Sequence, residues 1–146
     1  MGVGYHGDGP ATILVAIDGS ETSMRAGAYA AGLARRQNAR IICLFVRTAS
    51  VLTGFNPSLA APVQQAADSV AAEIRELIRS NAGRIGIEAT FIERSGSPVQ
   101  VIARVADELR VDAVVVGAST QAGHRFIGSI ATHLVRIARW PVTVVP

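Results

Sequence analysis

Two short stretches of the chain carry residue types that could bind a phosphate or a sugar hydroxyl. Residues 114–135 read VVVGASTQAGHRFIGSIATHLV, so Gly117, Gly123 and Gly128 separate an apolar run from a helical pattern. Glycines in such a loop let backbone N–H groups face an anion, and the helix that follows adds the positive end of its dipole. The same glycines would also serve a chain that only needs room to turn.

Asp18 is the second candidate, because it follows the apolar run at residues 13–17 and precedes Gly19. A carboxylate at the end of a buried strand can accept hydrogen bonds from a ribose hydroxyl or a base amino group. The alternative is a turn-forming aspartate beside a helix cap, formed by Ser20 or Thr22. Ser129 is open to two interpretations as well, either a donor to an anion or an ordinary N-cap.

Several kinds of catalysis are excluded or unsupported by the residue types present. All fourteen basic residues are arginines, which rules out a phosphate loop ending in Gly-Lys-Ser/Thr and any lysine nucleophile. The sequence has no Gly-x-Ser-x-Gly elbow, no Gly-x-Gly-x-x-Gly after the first strand and no metal-ligand spacing. His124 and Arg125 could reach a phosphate or be solvated loop residues. We predict no catalytic residue and no metal ligand; slow nucleotide hydrolysis aided by His124 or Asp18 is the least favoured alternative.

The elements that position these residues follow from apolar periodicity. It predicts strands over 13–17, 40–46, 87–94, 111–117 and 142–145, and helices over 21–39, 63–81, 97–109 and 129–139, with Gly83 as a helix stop and a loop over 47–62. Strict alternation predicts an α/β fold, a doubly wound five-stranded parallel sheet with helices on both faces. A flavodoxin-like order with the first strand central would bring Asp18 and Gly117 side by side, where ligands bind in such sheets.

Length and composition predict one cytoplasmic domain over 11–146, preceded by a flexible tail over 1–10 that lacks the features of a secretory signal. The net charge is only +3 and the arginines are scattered, which argues against nucleic acid as a partner. Mean hydropathy is +0.34, yet no apolar run approaches the ~20 residues needed to span a membrane. Cys43 is the single cysteine, so no disulfide can form within one chain.

The segments ILVAIDGSETSMRA, SGSPVQVIARVADELRVDAVVVGAS and IGSIATHLVRIARWPVTVVP together resemble the universal stress protein family. The resemblance covers about residues 11–146. It implies an adenine-nucleotide-hydrolase-like α/β fold, a homodimer through the last strand, a role in stress responses and, in some members, binding of ATP or another adenine nucleotide. The apolar, uncharged strand 142–145 independently favours pairing with a second copy.

The resemblance also implies a set of nucleotide-binding positions in this sequence. ATP-binding members follow G-x2-G-x9-G-[S/T]; here Gly117 matches the first glycine, Thr120 replaces the second, and the loop to Gly128 and Ser129 is two residues short. Both departures fall on the phosphate loop, which makes AMP or cyclic AMP alternatives to ATP, with Mg2+ held through the phosphates. The full predicted set is Ala16, Ile17, Asp18, Val46, Val116, Gly117, Ser119, Thr120, Gly128, Ser129 and Ile130.

Two functions therefore remain open from the sequence. The first is a stress-response regulatory protein that binds an adenine nucleotide and is at most a slow ATPase. The second is a family member that has lost nucleotide binding and acts through dimerisation and protein partners, which Thr120 and the shortened loop favour.

Overall fold

A computed structural model describes residues 9–48, 54–121 and 124–146, with the side chains of residues 120–126 outside the description. The strands are β1 (Thr12–Ala16), β2 (Arg40–Arg47), β3 (Ala89–Ser95), β4 (Ala113–Gly117), β5 (Ser119–Gln121), β6 (His124–Phe126) and β7 (Val142–Val145). The helices are α1 (Glu21–Gln37), α2 (Ala60–Ile85), α3 (Pro98–Glu108) and α4 (Ser129–Ile137), with a 3-10 turn at Pro57–Leu59 before α2. Most of the predicted tail, residues 1–8, lies outside the described residues, as do residues 49–53 of the predicted loop.

Five parallel strands form one sheet in the order β3-β2-β1-β4-β7, which confirms the predicted doubly wound architecture with the first strand central. In the register, Ile13 pairs with both Ile41 of β2 and Ala113 of β4. The carboxyl ends of β1 and β4 are therefore neighbours. Since β1 and β4 are joined to strands on opposite sides, this junction is the point where the winding reverses.

Alternate residues of each strand enter one of two apolar cores. Ile13, Val15 and Cys43 pack with α1 and α2 on one face of the sheet. Leu14 and Leu44 pack with α3 and α4 on the other face. Successive side chains of a strand point to opposite faces of the sheet, and here both faces receive apolar residues. A parallel sheet covered by helices on both sides requires this pattern.

Four helix boundaries differ from the prediction by two or more residues, and one of them is the end of α1, which lies at Gln37 rather than at residue 39. α2 begins at Ala60 and continues through Gly83 to Ile85, so Gly83 is not a helix stop. The helix ends at Gly86, whose φ of 71° is left-handed and whose N–H donates to the Ala82 carbonyl. α4 ends at Ile137, two residues early, because Ala138 takes a left-handed φ of 56°.

The largest departure lies between β4 and α4, where a loop was expected. β5 and β6 form a separate two-stranded antiparallel sheet in which Ser119 pairs with Phe126 and Thr120 with Arg125. Backbone groups that a free loop would offer to a ligand are here engaged in a ladder with each other. None of the helices in the described part of the chain combines the length and hydrophobicity that crossing a bilayer demands.

Candidate functional site

A cavity of about 460 Å³ opens at the carboxyl ends of β1, β2 and β4 and is bordered by the first turns of α1, α3 and α4. Its volume is within the range of small-molecule sites, roughly 300–1,000 Å³. Most of its lining is apolar, including Leu44, Ile102 and Ala131. Polar groups stand around this apolar surface, with Asp18 and Ser20 contributed by the β1–α1 turn and Ser119 from β5.

The structure brings nine of the eleven predicted site residues to this one cavity: Ala16, Ile17, Asp18, Val46, Val116, Gly117, Ser119, Gly128 and Ile130. Ser129 is exposed and is not among the lining residues. The Thr120 side chain lies outside the described part, as do those of His124 and Arg125. The ligand contacts of all eleven residues stay predictions.

Asp18 forms the turn that the sequence allowed, and it also borders the cavity. Its Oδ1 accepts a hydrogen bond of 2.8 Å from the Ser20 backbone N–H, which closes the turn into α1. Ser20 is the N-cap of α1, and its hydroxyl accepts from the Ser23 N–H at 3.3 Å. Asp18 is nonetheless one of the residues that line the cavity.

The charge of Asp18 is stabilised by this turn. Partial burial alone would raise the pKa of the Asp18 carboxyl, but hydrogen bonds from Ser20 and Ser23 together outweigh that effect and leave the pKa below its ordinary value. The group is therefore a carboxylate at neutral pH, which can accept hydrogen bonds but not donate them.

Gly117 is needed for close packing between β4 and α1. A Cβ at this position would lie 2.5 Å from the Thr22 carbonyl carbon and 2.7 Å from the Ser23 nitrogen. The neighbouring Thr22 hydroxyl is buried and donates a hydrogen bond of 2.7 Å to the Ala118 carbonyl. The bare side of Gly117 therefore faces the backbone of α1. Gly117 also lines the cavity, so its predicted contact with a ligand stays a prediction.

The amino end of α4 meets the cavity at Gly128. Gly128, and not Ser129, is the N-cap residue of this helix, and it makes no side-chain cap hydrogen bond. Among the described residues, the first N–H of α4 with a backbone acceptor is that of Thr132, which donates to the Gly128 carbonyl at 3.1 Å. The preceding amides of α4 are the kind of group that binds an anion at a helix start.

Ser119 restricts the space in front of these amides. A Cβ on Gly128 would lie 1.8 Å from the Ser119 Oγ, so the hydroxyl rests directly against the glycine. Ile130, one of the predicted nucleotide-binding positions, is 36% exposed and borders the cavity. Ala131 and Leu134 are the buried residues of α4.

Several lining residues were not predicted. Leu44 and Thr48 come from β2 and its end, whereas Pro98 and Ile102 come from the first turns of α3. The start of α3 carries no chemical group that would mark it as part of a site in the sequence. Only the strand order reveals that α3 covers this end of the sheet. In the described ranges, no three His, Cys, Asp or Glu side chains group closely enough to hold a metal ion.

Residues 11–146 match the universal stress protein family model, and the chain belongs to this family. Among curated proteins, universal stress protein YxiE of Bacillus subtilis (strain 168) is 29% identical over 143 residues, covering 91% of this chain and 97% of that protein.

Two solved structures show the same fold. A universal stress protein family member from Burkholderia pseudomallei is 25% identical with a TM-score of 0.75, covering 93% of this chain and 96% of its own. A universal stress protein solved in complex with cAMP is 26% identical with a TM-score of 0.71, covering 95% of this chain and 99% of its own.

Proposed function

We propose that this universal stress protein binds an adenine nucleotide in the cavity at the ends of β1 and β4 and acts as a stress-response regulatory protein. The observation that carries the proposal is a single cavity that combines three features. An apolar surface suits a purine ring, a carboxylate lies at the β1–α1 turn, and the amino end of α4 borders the same space.

The residues present fit a nucleotide in both shape and charge. Val46, Val116 and Ile102 offer apolar contact for the base. Asp18, held as a carboxylate, would accept from a ribose hydroxyl or the base amino group. The free amides and the dipole of α4 would bind a phosphate near Gly128. The solved relative in complex with cAMP, which shares the fold, supports this class of ligand.

A mononucleotide such as AMP or cyclic AMP suits the cavity better than ATP. In the ATP-binding members that this sequence resembles, the segment between β4 and α4 is expected to hold the phosphates. Here, backbone groups of that segment pair with each other in the β5–β6 ladder. The Ser119 hydroxyl against Gly128 further narrows the space in front of α4. If a triphosphate did bind, Mg2+ would be held mainly through its phosphates, since the described residues contain no cluster of metal-binding side chains.

A regulatory role is favoured over an enzymatic one. Efficient phosphate hydrolysis needs a general base or an equivalent group placed at the attacking water. The one described titratable side chain with a shifted pKa that lines the cavity is Asp18, and one of its oxygens is already used in the turn into α1. Hydrolysis, if present, would be slow.

We also propose a homodimer through β7. Within the sheet, β7 pairs with β4 on one side only, and its four residues are half-buried and carry no charge. An apolar edge without charge is prone to pair with another strand. A monomeric mass in light scattering at micromolar concentration would contradict this part of the proposal.

The alternative is a protein that acts only through dimerisation and partners, and the Ser119–Gly128 contact favours it. Calorimetric titration with ATP, AMP and cyclic AMP separates the two. The proposal expects saturable binding that Asp18→Asn weakens on the order of tenfold, the effect of losing a charged acceptor. Glu73→Gln, an exposed carboxylate on α2 away from the cavity, is the matched control and should bind like the unaltered protein. Absence of heat with every nucleotide would support the alternative.

A further inference from the structure

A second cavity, of about 390 Å³, lies on the opposite face of the sheet between α1 and α2. Its floor includes Ile41 and Cys43 of β2 and Ala89 of β3. The cavity is separate from the proposed nucleotide site, and Ile17 is the residue that borders both. A ligand in this second cavity would therefore not require a nucleotide in the first.

The walls of this cavity leave apolar surface uncovered. The α1 wall is built from small residues such as Ala28 and Ala31, which cannot reach across to α2. The α2 wall includes Leu77 and Ile78, and Leu77 remains 44% exposed although it borders the sheet side of its helix. Apolar surface that stays open in a groove is a common mark of a ligand site.

One end of the cavity carries two positive charges. Arg35 is in the last turn of α1 and Arg84 is in the last turn of α2, and both border the cavity. Because both helices return antiparallel to the strands they connect, their last turns lie at the same edge of the sheet. Neither arginine forms an ion pair with a carboxylate among the described side chains. Arg84 donates only to the Asn81 side-chain oxygen, at 3.2 Å.

Arginines in a last helical turn also complement the helix dipole. That effect accounts equally for Arg36, which shares the last turn of α1 but is not among the residues that border the cavity. Arg35 and Arg84 differ from Arg36 in that both border one apolar groove. Two guanidinium groups beside an apolar groove suit a ligand with a negative head group and an apolar body.

The shape of the cavity selects the ligand class further. Its α1 wall runs from Met24 to Arg35, which at 1.5 Å per residue is a length of roughly 16 Å. The Cys43 thiol in the floor is 5% exposed. Burial raises the pKa of this thiol to about 12, so it is neutral and adds no charge to the apolar floor. An extended alkyl chain fits a long, uncharged groove of this kind.

We propose that the cavity between α1 and α2 binds a free medium-chain fatty acid, with its alkyl chain over Cys43 and its carboxylate between Arg35 and Arg84. The guanidinium groups offer the forked donors that a carboxylate accepts. Burial of the chain against Leu77 and Ile78 supplies the hydrophobic part of the binding.

The test is calorimetric titration of the full chain with sodium decanoate below its micellar concentration. Wild-type protein should bind one decanoate saturably. The double variant Arg35→Gln/Arg84→Gln should lose about tenfold or more in affinity, as expected for charged hydrogen bonds. Arg36→Gln is the matched control and should bind unchanged. Decanol, which has the same chain without the charge, should bind wild type more weakly by a similar factor. All three arginines are exposed, so the variants should keep the wild-type unfolding temperature.

Ala31→Leu tests the apolar part, because its larger side chain would fill the groove and should abolish saturable binding. Its unfolding temperature is measured first, and Ala28→Leu on the same wall replaces it if Ala31→Leu unfolds. The proposal is overturned if wild type gives no saturable heat with decanoate. It is also overturned if decanol binds as tightly as decanoate, or if Arg36→Gln weakens binding as much as the double variant. Each of these results would mean that Arg35 and Arg84 only serve their helix ends.

Discussion

Replacement of Gly117 by alanine should destabilise the protein and disturb the candidate nucleotide site together. The added methyl would lie 2.5–2.7 Å from backbone atoms of Thr22 and Ser23. Backbone in the first turn of a helix cannot turn aside as a side chain can, so β4 and α1 would have to separate. Overpacking of this kind typically costs about 1–3 kcal/mol, and contact with backbone places Gly117→Ala near the upper end, at about 2–3 kcal/mol.

The separation would also strain the Thr22 hydroxyl bond to Ala118 and the Ser20 cap that holds Asp18. A loss of about 2–3 kcal/mol corresponds to a fall in the unfolding temperature of roughly 5–10 °C for a chain of this size. Urea and thermal unfolding followed by circular dichroism measure it. Nucleotide affinity, measured well below the unfolding temperature, should fall as well.

Gly83→Ala is the matched control, and it should raise the free energy of unfolding where Gly117→Ala lowers it. Gly83 lies inside α2, and a Cβ there would meet no atom within 4 Å. Alanine should therefore stabilise the helix by about 0.5–1 kcal/mol. The packing role of Gly117 is refuted if Gly117→Ala unfolds at the wild-type temperature, or if both variants shift in the same direction by similar amounts.

Three further predictions concern the edges of the same cavity. Because hydrogen bonds in the α1 turn lower the pKa of Asp18, its charge contributes stability above its ordinary pKa near 3.8, and that contribution is lost as the pH falls through the lower, folded-state pKa. Urea unfolding should thus give Asp18→Asn a lower free energy of unfolding than wild type at neutral pH, and this difference should become smaller at acid pH. A difference that does not depend on pH would contradict the prediction. Gly128→Ala should weaken AMP binding measured by calorimetry, since the new methyl displaces the Ser119 hydroxyl, and adding Ser119→Gly should recover part of the loss; no recovery would show that the two residues do not interfere. Arg47, at the end of β2 beside Val46, makes two contacts of 2.9 Å to one oxygen, Glu93 Oε2, and an ion pair with Asp68. Arg47→Met removes them, so thermal unfolding should occur at a lower temperature and Arg47→Lys should recover part of the loss; equal unfolding temperatures for all three proteins would contradict the prediction.

Local pattern was sufficient for the main elements of this fold. The runs ILVA, IICLFV and VVV are apolar at successive positions, so each strand presents apolar side chains to both faces of the sheet. Only a sheet covered on both faces can bury them, and the runs therefore predicted a parallel sheet with helical crossovers. Asp18 and Gly117 could be assigned to one cleft because both end central strands. Ser20 could be named as one of two candidate caps, with Thr22, because a hydroxyl before a helix accepts a free N–H.

Other features depended on contacts between residues distant in sequence. Gly83 and Gly86 look alike as helix stops in the sequence, but it is Gly86 that takes the left-handed conformation and ends α2. The β5–β6 ladder was not foreseen, since pairing of three-residue strands leaves hardly any periodic signal to detect. Pro98 and Ile102 enter the cavity only because the β3–α3 connection crosses that end of the sheet.

The sequence alone thus predicted the layered sheet, because it depends on short-range periodicity and on the rule that parallel strands share one edge. The resemblance to the family implied half of the residues that line the first cavity. Tertiary packing decided what those residues do. It turned the bare side of Gly117 toward α1, placed the Ser119 hydroxyl on Gly128, and left the groove beside Arg35 and Arg84 open. Each of these results depends on distances between separate elements, and such distances are fixed only when the whole core has packed.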